Sequence, residues 1–479
     1  MSGLFGTLGV SGRAMLVTQN GIRTTSHNIS NANTPGYSRQ IQVLQPAPAA
    51  HFANGALGTG VEQLSIERVT NAFVQEQLLV ETSNNRSLQA QAGTLEAIEE
   101  VFNEQRRDGI SAALSSFYSA FDDLANNPGA TEREALMGAA EAVSDALALA
   151  DSSLRDQMLA ANGGVEGAIF EINALANRIA ELNGEIRRQE SLAPANDLRD
   201  QRDAALRELS GLVDVDTFED RSGHTVVMLR GSGTLVENTF ARSLVPITDP
   251  TNPFDSNVFR VYFDDGLTQS DVTDQLSGGE LGGLLASRDT ILPDALRSLD
   301  VVAYNLAESV NAQHRAGFGL DGSTGNDFFA PLAAIEDAAR DLRVAVGILT
   351  NPDAIAAGGT SGAPGDNQNA LLLADLRDTP TTLALPGDPP GPPTGPTRSL
   401  LDHVSALVGD IGVETSIVKG ARDQSDRVLQ VIEDRRDSIS GVSIDEEVTN
   451  LIRLQASFQA NARVLSTIDR LLQDLVDII

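Results

Sequence analysis

The 479-residue chain carries 66 acidic residues against 34 Lys and Arg, a formal charge of −32, and so acidic a surface repels both the phosphates of nucleic acid and the anionic face of a membrane. It contains no cysteine, which rules out disulfides, thiolate nucleophiles and cysteine-based zinc sites. Aromatic residues make up only 4%, with no Trp, so the core is expected to be helices packed through Leu, Ile, Val and Ala, in a length that suits roughly two to four domains.

The charge is uneven. Residues 1–61 hold no Asp or Glu but carry Arg13, Arg23 and Arg39, so they sum to +3 and the remainder to −35. No apolar run approaches the ~18 residues of a membrane span, and the N-terminus lacks the basic head and apolar core of a secretory signal. Export by a route that uses no cleaved signal remains open.

In the first 30 residues apolar groups recur every seven positions at Leu8, Met15, Ile22 and Ile29, with small or polar Ser11, Thr18 and Thr25 between them, a weak heptad. It stops at Asn31-Ala32-Asn33-Thr34-Pro35-Gly36. Pro35 ends a helix and biases Thr34 toward an extended backbone, Gly36 permits a conformation other residues resist, and Asn31 and Asn33 can cap free backbone groups. Tyr37 and Arg39 are expected to reach a neighbouring molecule from this turn. Residues 45–60, rich in Pro, Ala and Gly, read as an extended connection, and a helix is expected from about Ile66 through Leu88, Leu95, Ile98 and Phe102.

A second long helical pattern runs Val165, Ile169, Ile172, Ala176, Ile179, Asn183, Ile186, with Asn126-Asn127-Pro128-Gly129 as an earlier turn between helices. Near Leu212 the period switches to alternation: Thr225-Val226-Val227-Met228-Leu229 and Phe259, Val261, Phe263 read as strands between Gly, Asp and Pro clusters, a small β unit. Helix returns from Leu281 to Ala312. Residues 378–397 hold Pro380, Pro386, Pro389, Pro390, Pro392, Pro393 and Pro396, a stiff exposed loop, before a further helical stretch from Val404 to Ile439.

The sharpest periodicity comes last. Leu451, Leu454, Phe458, Asn461, Leu465, Ile468, Leu472, Leu475 and Ile479 alternate by three and four, a coiled-coil seam in which a buried Asn would fix register. One such seam buries too little surface to order its segment unaided, so both ends read as pieces completed by neighbouring molecules.

Chemistry-bearing motifs fail on context. Gly317-Phe318-Gly319-Leu320-Asp321-Gly322 matches GxGxxG but follows a helix, not a strand. Asp321, Ser323, Gly325 and Asp327 have calcium-loop offsets without the sixth-position Gly or the closing Glu. The five histidines show no paired metal spacing. Asp445-Glu446-Glu447 after Ser443 reads as helix-start chemistry. No catalytic, cofactor-binding or metal-binding residue is assigned, and an enzyme is the least favoured class.

Ser30-Asn31-Ala32-Asn33-Thr34-Pro35-Gly36-Tyr37-Ser38-Arg39-Gln40 resembles the N-terminal motif of the hook-associated protein 1 family, the first flagellar hook–filament junction proteins. Ser440-Gly441-Val442-Ser443-Ile444-Asp445-Glu446-Glu447, with the following Leu451, Gln455 and Gln459-Ala460-Asn461-Ala462, resembles the family's closing segment. Asn196-Asp197-Leu198-Arg199-Asp200-Gln201-Arg202-Asp203, Leu281-Gly282-Gly283-Leu284-Leu285, Asn311 to Phe318, Asp327-Phe328-Phe329 and Asp366-Asn367-Gln368-Asn369-Ala370 resemble its internal landmarks, in order. The middle is short for the family, with about 35 residues between Phe329 and Asp366, and the proline-rich loop has no counterpart in it.

The resemblance implies a secreted structural subunit, exported unfolded through the flagellar type III route and forming a ring between hook and filament. Its implied partners are itself, the hook protein, the second junction protein and a type III export chaperone, with no cofactor, nucleic acid or membrane. The second junction protein or flagellin is the alternative within the class, and a secreted coiled-coil adhesin the alternative outside it. The expected fold is mainly α with a small β domain, elongated and multi-domain. Residues 1–45 with 440–479 would form an inner coiled-coil domain, and 46–212 with 281–330 and 398–439 a helical bundle. Residues 213–280 would form an outward β domain, with 331–365 a candidate addition to it. The assembly interface is assigned to the two heptads and to Asn31, Asn33, Pro35, Gly36, Tyr37 and Arg39.

Overall fold

The computed structural model describes residues 2–52, 55–102, 109–252, 254, 256–388 and 392–477. Helix α1 (Ser2–Ser30) carries the first heptad. Strands β1 (Gln40–Pro46) and β4 (Val61–Arg68) pair antiparallel, with the short β2 (Ala50–Phe52) and β3 (Gly55–Leu57) between them. Four helices follow: α2 (Ala72–Val101), α3 (Ile110–Asn126), α4 (Ala130–Glu190) and α5 (Asn196–Leu212). Asn71 starts α2 by accepting the Val74 N–H, the usual N-cap bond, and Asn127-Pro128-Gly129 separates α3 from α4 as its residue types require.

The β region holds two antiparallel sheets. One runs β5 (Val215–Glu219), β6 (Thr225–Leu229), β7 (Gly233–Glu237), β8 (Phe240–Ala241); the other is ordered β11-β10-β9, with β9 at Ser243–Thr248, β10 at Phe259–Asp264 and β11 at Gln269–Asp271. In β10 burial alternates at Val261 and Phe263, whereas in β6 Thr225, Val226 and Val227 are all buried along with Leu229, so that strand is covered on both faces. Helices α6 (Gly279–Ala286) and α7 (Leu292–Ala316) are joined by a π-helical turn at Ser287–Ile291. Pro293 lies just beyond it; its ring cannot accommodate a regular turn before it, and a wider turn relieves the clash. Short helices α8 (Ala338–Asp341), α9 (Val346–Thr350) and α10 (Gln368–Asp375) lead to the strand pair β12 (Thr381–Thr382) and β13 (Thr397–Arg398), then to α11 (Leu400–Ser440) and α12 (Ile444–Asp477).

Two cores share one spine. The 61 residues of α4 span about 90 Å at ~1.5 Å per residue. Leu136 to Met158 pack with α3, α7 and α11 around Phe117, Phe121, Phe328 and Phe329, whereas Val165 to Ile179 pack with α5, α6 and both sheets. The polar member of the predicted pattern, Asn183, is buried and donates to the carbonyls of Thr225 and Asn238, which fastens the first sheet to the spine.

Three expectations need correction. Residues 45–60 are not a simple connection, because β1 and β4 pair from Gln40↔Arg68 to Pro46↔Val61 with a bulge at Val43/Leu44. The ribbon's polar residues do the docking: Gln42 donates to the Val17 carbonyl and to Gln63, which also accepts from Asn20, while Ile41, Leu44 and Leu64 stay exposed. That reverses the usual alternation and hides the strands from a hydrophobicity reading. The next helix therefore starts at Ala72, not near Ile66. Residues 331–365 join the helical core, not the sheets, through Ala338, Ala339, Leu342, Val344, Ile348 and Ile355. In the proline-rich loop, Leu383 is buried and Asn305 brackets Ala384 with two hydrogen bonds, so that part is pinned to α7; Pro389 and Pro390 lie outside the described residues.

Candidate functional site

Helices α1 and α12 lie side by side. On α12 the seam residues Leu451, Leu454, Phe458, Asn461, Leu465 and Leu472 are half-buried and Ile468 is buried, and most of the residues between them are exposed. For Leu475 the structure describes the helical backbone only, and Ile479 lies outside the described residues. The facing side of α1 is made of small and polar groups. Ser11, Thr18, Gly21, Thr24, Thr25 and Asn28 are buried, whereas Leu8, Met15, Ile22 and Ile29 are half-buried. A Cβ at Gly21 would lie 3.1 Å from Gln42 Oε1 and 3.2 Å from Leu454 Cδ1, so the missing side chain lets Leu454 approach. Asn461 donates to the Ser457 carbonyl of its own helix.

The outer flanks of this pair remain apolar and open. Leu16 of α1 is 64% exposed, Ile452 of α12 62% and Leu471 50%.

Below the pair, the turn after α1 is knotted around Asn28. Its Oδ1 accepts the Tyr37 hydroxyl at 2.8 Å and the Gln40 N–H at 3.0 Å, and its Nδ2 donates to the Gln40 carbonyl at 2.9 Å. Asn31 donates to the His27 carbonyl and accepts from the Thr34 hydroxyl; Gly36 has φ +82°, the left-handed geometry that favours glycine. Asn33 and Pro35 are exposed at the tip. Tyr37 is buried edge-on to His27, and burial together with Asp197, Asp200 and Glu447 pushes its hydroxyl well above its ordinary pKa.

The expectation that Tyr37 reaches a neighbour is therefore overturned: its hydroxyl is consumed within its own chain. Arg39 is also tied inward, its N–H to the Ser440 carbonyl at 2.7 Å and its Nη1 to Glu446 at 3.4 Å. Ser443 accepts the Glu446 N–H, so the acids after it do stand at the start of α12. The first turn and the α11–α12 break are thus one joint, from which both terminal helices leave the body.

Sequence reasoning missed the bracket that holds this joint. Helix α5 offers it one face: Gln40 donates to Asp197 at 2.8 Å, the Ser38 N–H to Asp200 at 3.2 Å, and Asn196 donates to the Ile66 carbonyl at 2.9 Å. Arg68 of β4 reaches Asp200 at 2.7 Å and Asp203 at 2.8 Å, with the Arg68 and Asp200 side chains only 11% and 9% exposed. The opposite face of α5 grips the β unit. Arg199 pairs with Glu190 and Glu219, and buried Arg202 donates to Asn183 and to the Gly223 carbonyl. The signal was present in Asn196, Asp197, Asp200 and Asp203 at offsets 0, 1, 4 and 7, which share one helix face, with Arg199 and Arg202 turned away from it.

Catalytic geometry is not assembled around these groups. Among the described residues no cluster of three or more His, Asp or Glu is placed to hold a metal, and no described helix is long and apolar enough to cross a membrane. The glycine-rich loop after α7 is closed on itself, with Asp321 accepting from the Ser323 N–H and from Asn351. His314 sits buried between the Asn326 carbonyl and the Ala356 N–H.

A family profile described as the flagellar hook-associated protein FlgK helical domain matches residues 95–329, and one described as the flagellar basal body rod FlgEFG protein C-terminal matches 436–478. Flagellar hook-associated protein 1 of Bacillus subtilis is 28% identical over 511 residues, covering 100% of this chain and 99% of the relative. The protein of that name in Salmonella typhimurium is 27% identical over 555 residues, covering 96% and 97%. The solved flagellar hook junction protein FlgK from Burkholderia pseudomallei has TM-score 0.66 at 17% identity, covering 76% of this chain and 100% of that one; at that identity the likeness concerns the fold.

Proposed function

The chain belongs to the family of flagellar hook-associated protein 1, and on that premise we propose that it is a structural subunit joining hook to filament, needed for filament assembly and motility. The observation that carries the mechanical reading is the α1–α12 pair. Its inner seam is shared between the two ends of one chain, while Leu16, Ile452 and Leu471 leave apolar flanks uncovered. Burying side chains of that size contributes about 1.5–3 kcal/mol each, an incentive for copies to pack flank to flank. Repeated around an axis, such packing makes a ring with the pair on the inside and the β unit outside.

Load then has a defined route. It enters through α1 and α12, crosses the knotted turn and the α5 bracket, and runs along α4, whose two halves belong to different cores. In this reading the subunit contacts itself, the hook protein below and the second junction protein above. It reaches them from the type III export channel, handed over by a chaperone and without a cleaved signal. A strain deleted for the gene, viewed by electron microscopy, tests the proposal: hooks without filaments, restored by the intact gene in trans, are expected. Normal filaments on the deletion strain would refute it.

A further inference from the structure

Residues 311–318, 326–329 and 366–370 meet in one buried hydrogen-bond network at the end of α7. Asn311 donates to the Phe329 carbonyl and accepts the N–H groups of Phe328 and Phe329. Gln313 donates to Asn369 at 2.7 Å, and Asn369 donates to the Ala356 carbonyl at 2.6 Å. His314 takes the other side of the same residue: its Nε2 accepts the Ala356 N–H at 2.9 Å, while its Nδ1 donates to the Asn326 carbonyl at 2.7 Å. Asn311 and His314 are 0% exposed and Asn369 2%, and the His314 ring stands edge-on to Phe328, centroids 5.5 Å apart.

Of these four side chains only His314 titrates. A carbonyl only accepts and an amide N–H only donates, so its two bonds fix one neutral tautomer, with the proton on Nδ1 and a bare Nε2. A second proton on Nε2 would face the Ala356 N–H, donor against donor, and would leave a charge in a site closed to solvent. The charged groups around the ring do not compensate it. Asp327 favours the proton but is itself paired with Arg315, and Arg133 of α4 opposes it from its anchor on the Ile355 carbonyl. Asp321 and Asp353 act on Arg133, and α10 meets the network through neutral Asn369. Burial, the largest influence, holds the His314 pKa below the ordinary 6.5.

We propose that His314 is a proton-operated latch: neutral, it fastens the 317–327 loop and the 351–358 segment to the end of α7, and protonation releases both and uncovers the Phe328 side of the core. The two segments leave together, because Phe318 and Gly358 exchange backbone hydrogen bonds at 2.8 and 3.1 Å. Once released, the ring takes up its proton at the ordinary imidazole value. The opened form therefore gains on the closed one as pH falls below 6.5, by up to about tenfold per pH unit for a single proton. The latch is built into one chain and works whether or not copies assemble, so its test stands apart from the junction reading.

Hydrogen exchange of the purified full-length chain between pH 7.5 and 5, corrected for the intrinsic pH dependence of exchange, reads the latch directly. Opening should rise toward tenfold per pH unit in peptides covering 317–327 and 351–358, while α2, α11 and the β unit keep their protection. His314→Gln removes the titrating ring, so the two segments should be open at every pH and the slope should vanish. Asp300, which titrates in the opposite sense, is intact in both chains and cancels in the comparison. No slope in the wild type, a slope spread evenly over the chain, or a slope that survives in His314→Gln would overturn the proposal. Should that variant fail to fold, nitrogen NMR of labelled histidines in the wild type decides. One of the five imidazoles should stay in the Nδ1–H tautomer until the two segments open, and five freely titrating imidazoles would overturn the latch.

Discussion

Arg68→Ala should loosen the terminal layer from the body without melting the body. Arg68 bridges Asp200 and Asp203 of α5, at 2.7 and 2.8 Å, with 11% of its side chain exposed against 9% and 22% for the two acids. Removing one partner of a buried pair costs about 3–5 kcal/mol, since the charge left behind stays desolvated; residual solvent access at Asp203 argues for about 3. The two hydrophobic cores contain no residue of β1 or β4, so the loss falls on local opening of the ribbon and not on global unfolding. An opening free energy lower by ~3 kcal/mol speeds exchange about 100-fold. Hydrogen exchange of the purified chain, read separately for 40–68 and for α3, α4 and α7, is the assay. Adding Asp200→Asn and Asp203→Asn should restore part of the protection. Unchanged exchange in 61–68, or loss of protection spread evenly over the body, would refute the bracket.

Three other perturbations probe neighbouring parts of the account. Leu465→Asp places a charge in the α1–α12 seam, a penalty of several kcal/mol if unpaired; the variant should be exported but absent from isolated flagella, and full filaments would contradict the seam. Gly36→Val forces a branched residue to φ +82° at a cost of about 1–3 kcal/mol, which should weaken filament retention under shear while a melting scan of the body stays unchanged. Asp300 is pushed up to about 6 from 3.8 by burial, with Asp151 and Asp337 adding to it. The folded chain therefore holds that proton more tightly than the unfolded one: the contribution is complete below 3.8 and is lost as pH rises through 6, by at most ~3 kcal/mol. Wild type minus Asp300→Asn in chemical denaturation between pH 4 and 7 isolates it from the opposite effect of His314, whose depressed pKa removes stability as pH falls below 6.5; a pH-independent difference would refute the assignment.

What the sequence revealed and what it concealed have separate physical causes. Periodicity locates helices when the buried face is apolar, and so α12, the second half of α4 and the strands around Val227 and Val261 were legible. It fails where burial is polar. The facing side of α1 is Ser11, Thr18, Gly21 and Thr25, which a heptad search scores as weak even though those are the residues that pack. The β1–β4 ribbon docks through Gln40, Gln42 and Gln63 and leaves its apolar residues outside. The Asn31–Arg39 motif was visible as a helix stop, yet the side chain that organises it, Asn28, lies inside the helix before it, and Tyr37 turned inward because Asn28 and His27 were waiting for its hydroxyl. The face of α5 that holds the joint has to be read against segments more than 100 residues away, a pairing no local pattern encodes.

The central claim, that the paired ends of the chain form the inner, copy-to-copy layer of the hook–filament junction, is tested most directly by electron cryomicroscopy of isolated flagella across that junction. The account predicts a ring in which α1 and α12 of each copy face the axis, with Leu16, Ile452 and Leu471 buried against the adjacent copy and residues 213–280 outermost. A ring in which those three side chains remain solvent-exposed, or in which the β unit lines the axis, would contradict it.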